Sequence, residues 1–243
     1  AAPSPDAEDP FLWLEDVEGE RALNWVREHN ATSRKLLEAE PGFAQTRQSL
    51  QAILDSKERI PAVVRRGDWL YNFWRDEKNT RGLWRRTTLE SFQQAAPAWD
   101  VVLDLDALAR DEKENWVWGG AQLLGGRSTR CLISLSRGGA DAKVVREFDL
   151  ATRRFVTDGF SLPEAKSEVE WLDENHVFVG TDFGPGSLTD SGYPRVVKLW
   201  KRGTPLSAAT QVYEGQKTDV SAFADRKSTR LNSSHTDISR MPS

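Results

Sequence analysis

The sequence predicts a mainly β protein: an N-terminal helical segment followed by about three four-stranded blades of an incomplete β-propeller. Two observations carry this. Hydrophobic spacing switches at Pro61 from helical to alternate-residue. The strand-like runs beyond it then fall into three groups that repeat at roughly 50 residues, the spacing of blades with long loops.

Residues 1–10 are rich in Pro and Asp and read as an extended arm. From Asp16 to about Ala39, Ala22, Trp25, Val26 and His29 share one helical face, with Leu36 and Leu37 after them. Asp16 is placed to cap this helix, and Glu18 and Glu20 suit its positive end. Pro41-Gly42 breaks the pattern. A second helix carries Phe43, Leu50, Ile53 and Leu54 and stops by Pro61.

The first strand group is Ala62–Arg66, Trp69–Trp74, Leu83–Leu89 and Trp99–Leu103, with Gly67-Asp68 as a hairpin turn. The second is Asn115–Leu124, Arg130–Ser136, Lys143–Phe148 and a weak strand near Phe155. The third is Val169–Leu172, His176–Gly180, Arg195–Trp200 and Gln211–Tyr213. Ten tryptophans spread from Trp13 to Trp200 and none follows. The expected divisions are 1–60 (arm and helices), 61–224 (partial propeller) and 225–243 (a non-native or disordered tail). Propellers close with about four to eight blades, so three leave raw ends, and blade edges are expected to self-associate.

Composition excludes several classes. The 243 residues hold 33 Lys+Arg against 37 Asp+Glu, a net charge of −4, which argues against a nucleic-acid partner. No apolar run approaches the roughly 18 residues of a membrane helix, so no membrane partner is expected. The single cysteine, Cys131, excludes an internal disulfide framework and a cysteine-rich metal site. The chain opens Ala1-Ala2-Pro3, and its only methionine is Met241. Signal-peptide removal and truncation both account for such a start; the former favours a periplasmic or secreted location over a cytoplasmic one.

Candidate chemistry is sparse. A nucleophile elbow needs Gly-x-Ser-x-Gly between strand and helix. Ser128 follows Gly126 at the right offset, but position 130 is Arg; Ser191 precedes Gly192, but position 189 is Thr. His176 opens a strand after Asp173-Glu174-Asn175, His29 sits on the first helix and His235 in the tail, so no Ser-His-Asp set forms. Cys131 and His176 spell a thiol dyad, yet Cys131 heads the apolar run Leu132-Ile133-Ser134-Leu135 and reads as core. The stretch Gly180–Ser187 lacks a phosphate-loop Lys and reads as a long loop, with Phe183 and Tyr193 flanking it. Asp104 with Asp106, and Glu168 with Glu170, are carboxylate pairs that read as surface; Asp106 is placed to cap a short helix. Arg65-Arg66, Arg85-Arg86 and Arg153-Arg154 read as surface charge.

Several ordered motifs together resemble one family. Asp9-Pro10-Phe11-Leu12-Trp13-Leu14-Glu15-Asp16, then Trp25-Val26 and Asn30, resembles the opening of the prolyl oligopeptidase family of serine peptidases. Tyr71-Asn72-Phe73-Trp74-Arg75-Asp76 and Arg81-Gly82-Leu83-Trp84-Arg85-Arg86-Thr87 resemble its first blade, and Leu135-Ser136-Arg137-Gly138-Gly139-Ala140-Asp141 its second-blade turn. The resemblance spans about residues 9 to 224. It implies part of a seven-bladed propeller, with residues 1–60 packing on an α/β-hydrolase domain that cleaves short peptides after proline. The family's Ser, Asp and His lie in its C-terminal portion, and none maps onto this sequence. The expectation is therefore a substrate-gating part, inactive alone, with no catalytic residue, cofactor or metal of its own. Its partner would be a short peptide substrate met through the missing hydrolase domain. The rival expectation is a non-catalytic propeller module that binds peptide or glycan.

Overall fold

A computed structural model describes residues 9–16, 18–56, 58, 60–125, 128–228 and 234–241, with backbone alone from 226 onward. The chain divides into two compact units, residues 1–59 and 60–243.

The first unit holds α1 (Glu20–Glu38) and α2 (Phe43–Leu54) after a 3-10 turn at Leu12–Glu15. The first helix begins later than its expected Asp16 cap. Asp16 instead accepts the Gly19 N–H on its backbone carbonyl, and extended Gly19 takes the cap position. Gly42 caps α2 at φ 93°, a left-handed geometry that only glycine adopts cheaply, so the break at Pro41-Gly42 becomes a sharp turn. Trp13 meets Trp25 edge-on at 6.4 Å, and Trp25 stacks on His29 at 3.8 Å. Leu36, Leu37, Leu50, Ile53 and Leu54 remain exposed, the last at 66%.

Among the described residues, the second unit is built of separate antiparallel sheets, none of which closes on itself. Sheet one runs β1 (Val64–Arg66), β2 (Trp69–Trp74), β3 (Leu83–Thr88), β4 (Asp100–Asp104) in sequence order. Sheet two runs β5 (Trp116–Leu123), β6 (Arg130–Arg137), β7 (Lys143–Asp149), β8 (Arg154–Phe155), with β9 (Ser161–Ala165) also pairing to β7. Sheet three runs β10 (Glu168–Asp173), β11 (His176–Gly180), β12 (Val196–Lys201), β13 (Thr210–Glu214). α3 (Leu89–Phe92) connects β3 to β4, and α4 (Leu105–Glu112) connects sheet one to sheet two. The unexpected β9 carries Pro163, a residue tolerated on edge strands, and has one buried apolar side chain, Leu162, so its sequence signal is faint.

Alternation along β6 shows why the sheets stack face to face. Cys131, Ile133 and Leu135 turn toward sheet one and join Tyr71, Trp84, Val102 and Leu105 in one core. Leu132 turns the other way and joins Trp171, Val177, Val179 and Trp200 of sheet three. A sheet with two apolar faces must bury both, and a neighbour on each side does so. Gly119 and Gly120 let β5 bulge at its centre: a Cβ on Gly119 would lie 2.9 Å from the Ser134 carbonyl oxygen, and Gly120 sits at φ 120°.

The described part of the tail is given by backbone pairing. The backbone of β14 (Ser221–Ser228) pairs residue for residue with β15 (Ser234–Met241). Ladder bonds come from the main chain, so a polar sequence can form them. The start of β14 is anchored by small residues: Ala222 and Ala224 bury against Phe178 and Val197 of sheet three. Small residues leave little hydrophobic pattern in the sequence.

Candidate functional site

Polar staples cross both seams between the stacked sheets. At the first seam, the Arg153 guanidinium donates to the Val101 carbonyl and the Asp100 carboxylate, each at 2.8 Å. Arg81 donates to Asn115 Oδ1 at 2.7 Å and to the Trp116 carbonyl at 2.9 Å. Glu112, at the end of α4, accepts from Trp116 Nε1 and from Arg146 Nη1.

The second seam is tied by a buried carboxylate. Glu147 sits on β7 with its side chain fully buried. Arg202, in the turn after β12, grips it with both terminal nitrogens at 2.8 and 2.9 Å. Arg130 adds a 3.3 Å contact and the Phe160 N–H donates at 2.9 Å. The two-pronged geometry satisfies both carboxylate oxygens, which is what makes a buried anion tolerable. Further out, the Tyr193 hydroxyl donates to Asp141 at 2.6 Å, and the Lys166 ammonium lies 3.3 Å from the same carboxylate. The hydroxyl and the ammonium together hold the Asp141 carboxyl below its usual range. Trp171 Nε1 donates to the Gln122 carbonyl, and Gln122 in turn donates to Glu170.

The candidate nucleophiles do not assemble. Ser128 Oγ accepts from the Arg130 N–H in the turn before β6; Gly126, its would-be elbow partner, lies outside the described residues. Ser191 lies in the β11–β12 loop, where its carbonyl accepts from Lys166. His176 Nδ1 pairs with Asp173 at 3.0 Å on one turn, while Cys131 is wholly buried and its thiol donates to the Phe148 carbonyl on neighbouring β7. Burial, with Glu147 and Asp149 nearby, pushes the Cys131 thiol far up, away from the thiolate form. His235 is described by backbone alone. No group of three or more metal-binding side chains occurs among the described residues.

Other expected roles shift. The Gly180–Ser187 loop closes on itself: Asp182 accepts from the Gly184 N–H, and Ser187 Oγ accepts from the Phe183 N–H. Asp104, not Asp106, caps α4, accepting the Ala107 N–H at 2.9 Å. Asp106 instead accepts from the backbone of Arg81 and Gly82 and from the Thr80 hydroxyl. Arg85 and Arg86 are not free surface charge. Arg85 lies between Trp74 and Trp99, at 4.4 and 4.1 Å, and burial lowers its pKa to about 10. Arg86 stacks on Trp69 and pairs with Asp100 at 3.0 Å. The seam residues Glu147 and Arg202 were missed in the sequence because nothing in their spacing, 55 positions apart, announces a contact. The buried position of Glu147 within an alternating strand was the available signal.

Antiparallel sheets stacked in sequence order, each built on four consecutively paired strands, with each seam apolar inside and tied by arginine, define an arc of a β-propeller. The family model for the prolyl oligopeptidase N-terminal β-propeller domain matches residues 2–232, and the chain belongs to that family. It is 44% identical over 221 residues to the Sinorhizobium fredii protein named "Uncharacterized peptidase y4nA", covering 90% of this chain and 30% of the relative. It is 30% identical over 223 residues to the Rickettsia prowazekii protein named "Uncharacterized peptidase RP174", covering 88% of this chain and 31% of the relative. The chain thus spans under a third of the length of these curated relatives. Among solved structures, a post-proline cleaving enzyme from Rickettsia typhi superposes with TM-score 0.83 at 30% identity, covering 94% of this chain and 34% of that one. Oligopeptidase B from Leishmania major shares the fold, with TM-score 0.67 at 15% identity, over 90% of this chain and 30% of that one.

Proposed function

We propose that this chain is the substrate-admitting part of a serine oligopeptidase that cleaves short peptides after proline, and that none of its own residues attacks the peptide bond. The observation that carries this is the match of residues 2–232 to the propeller domain of a peptidase family; among the described residues, Ser128 and His176 each pair with neighbours on their own turns. The post-proline preference comes from the Rickettsia typhi protein at 30% identity. A cap of stacked, stapled sheets keeps folded proteins from a buried active site and admits short chains. Once inside, the peptide loses water and the charge formed at the scissile carbonyl is strongly stabilised. The exposed Leu36, Leu37, Leu50, Ile53 and Leu54 of the first unit suit packing on the hydrolase body.

The purified chain should neither cleave a short proline-containing reporter nor react with a fluorophosphonate probe. Labelling of one serine together with turnover would overturn the reading. A chimera of the Rickettsia typhi enzyme carrying residues 9–224 in place of its own segment should cleave short peptides and spare folded proteins. A folded, active chimera that digests folded proteins would count equally against it. The second reading is a non-catalytic module that binds peptide or glycan in a ring of several arcs, favoured by the unclosed sheets. Light scattering showing a discrete symmetric oligomer would support that reading.

A further inference from the structure

We propose that the seam between sheets one and two is the joint at which this arc flexes, with α4 as its latch, while the seam between sheets two and three stays rigid. Three kinds of local cost gather at the first seam. The backbone supplies one. The non-glycine residues with positive φ among the described residues are Lys113 at 57° and Arg153 at 56°. Lys113 ends α4, and Arg153 reaches from sheet two to Asp100 and the Val101 carbonyl of sheet one. A left-handed backbone is costly for a residue with a side chain, and such positions persist where their surroundings impose them, notably at switch regions.

Arg146 on β7 carries the second cost. Its Nη1 donates to Glu112 of α4 at 2.8 Å, and its guanidinium lies over the Phe155 ring of β8 at 3.7 Å. Nε and Nη2 are buried and find no hydrogen-bond partner among the described residues. These two nitrogens form an edge with which an arginine makes paired bonds, so the closed seam leaves a strong donor edge unsatisfied. Movement of α4 away from β7 lets water reach it. The third cost is in packing. Clefts of about 220 and 690 Å³ run along this seam, one walled by Phe73 against Ala121, the other by Trp69 against Leu150. Atoms beside a gap forfeit contact energy. The second seam has the opposite character: each oxygen of the buried Glu147 accepts two hydrogen bonds, from Arg202 and Arg130 on one side and from Arg202 and the Phe160 N–H on the other. A strained, under-satisfied and loosely filled contact opens before a saturated one. Because Arg146 touches both α4 and β8, α4 and the adjoining turn at 150–153 open as one unit.

The test is hydrogen exchange of the full chain, read by mass spectrometry of peptic fragments. Amides of α4 should exchange at least tenfold faster than those of β11 and β12. Lys113→Gly, at an exposed position, relieves the left-handed strain and should slow exchange at least threefold, both in α4 and across the seam at residues 150–153. Arg146→Met keeps a side chain on Phe155 without the unsatisfied edge and should act in the same direction. Protection of α4 equal to that of β11 and β12 would overturn the proposal. So would slowing by Lys113→Gly confined to α4, which is the effect of an ordinary helix cap. The joint does not depend on the gating role: rigid protection of α4 leaves that role standing, and coupled opening supports no particular hydrolase.

Discussion

Glu147 shows how one residue can hold two sheets. Its carboxylate is fully buried, and Arg202 covers both oxygens. Arg202→Met leaves that anion with Arg130 at 3.3 Å and the Phe160 N–H. The loss should be roughly 3–5 kcal/mol, the usual cost of breaking a buried pair from one side. Urea unfolding followed by near-UV circular dichroism checks this. A loss below about 1 kcal/mol would mean that the seam does not depend on the pair.

Asp76 makes a pH prediction. Burial raises its pKa, but hydrogen bonds from the backbone of Asn79 and Lys78 and from the Trp74 and Asn79 side chains outweigh this, lowering it from 3.8 to about 2. A carboxylate with a depressed folded pKa stabilises above its unfolded pKa and loses that contribution as pH falls through the folded value. Stability should therefore fall between about pH 4 and pH 2, and Asp76→Asn should flatten that part of the profile. Chemical denaturation at stepped pH measures it. Cys131, wholly buried, should resist iodoacetamide in the native chain and react in urea; labelling without denaturant, seen by mass spectrometry, would contradict its core position.

At the scale of elements, two neighbouring aspartates separate capping from stapling. Asp104 holds the first turn of α4 through one N–H, so Asp104→Ala should cost about 0.5–2 kcal/mol. Asp106 accepts from two backbone N–H groups and a hydroxyl of the loop before β3, so Asp106→Ala should cost more than Asp104→Ala. Thermal melts of the two variants rank them, and the opposite order would mean that the Asp104 cap contributes more than the Asp106 loop contacts. The bulge in β5 is a third case. Gly120 at φ 120° tolerates no side chain without strain, so Gly120→Val should destabilise the sheet by well over 1 kcal/mol. Sequence reading saw a strand there but had no means of seeing the bulge, because a glycine pair in a strand marks many kinds of irregularity.

At the scale of the whole molecule, the described sheets form an open series. Val101 of sheet one and Val212 of sheet three stay exposed, alongside the leucines of α1 and α2. Unpaired strands and uncovered apolar faces favour association. The purified chain should therefore show a concentration-dependent mass by light scattering, and a monomer with a single sharp reversible melt at high concentration would contradict this.

What the sequence determined by itself was local and periodic. Trp69, Tyr71 and Phe73 alternate, so β2 and its apolar face were legible from spacing alone. Turn residues such as Gly67-Asp68 marked the hairpins, and the ordered motifs from Asp9 to Asp141 pointed to the family. The tertiary structure alone decided which charged residues are structural. Arg85 and Arg86 read as surface in the sequence, yet aromatic rings and Asp100 claim them; Glu147 read as one more strand residue, yet it ties two sheets. The reason is physical. Periodicity follows from the backbone repeat within a few residues, whereas a buried ion pair depends on two side chains brought together across tens of residues by the packing of whole sheets.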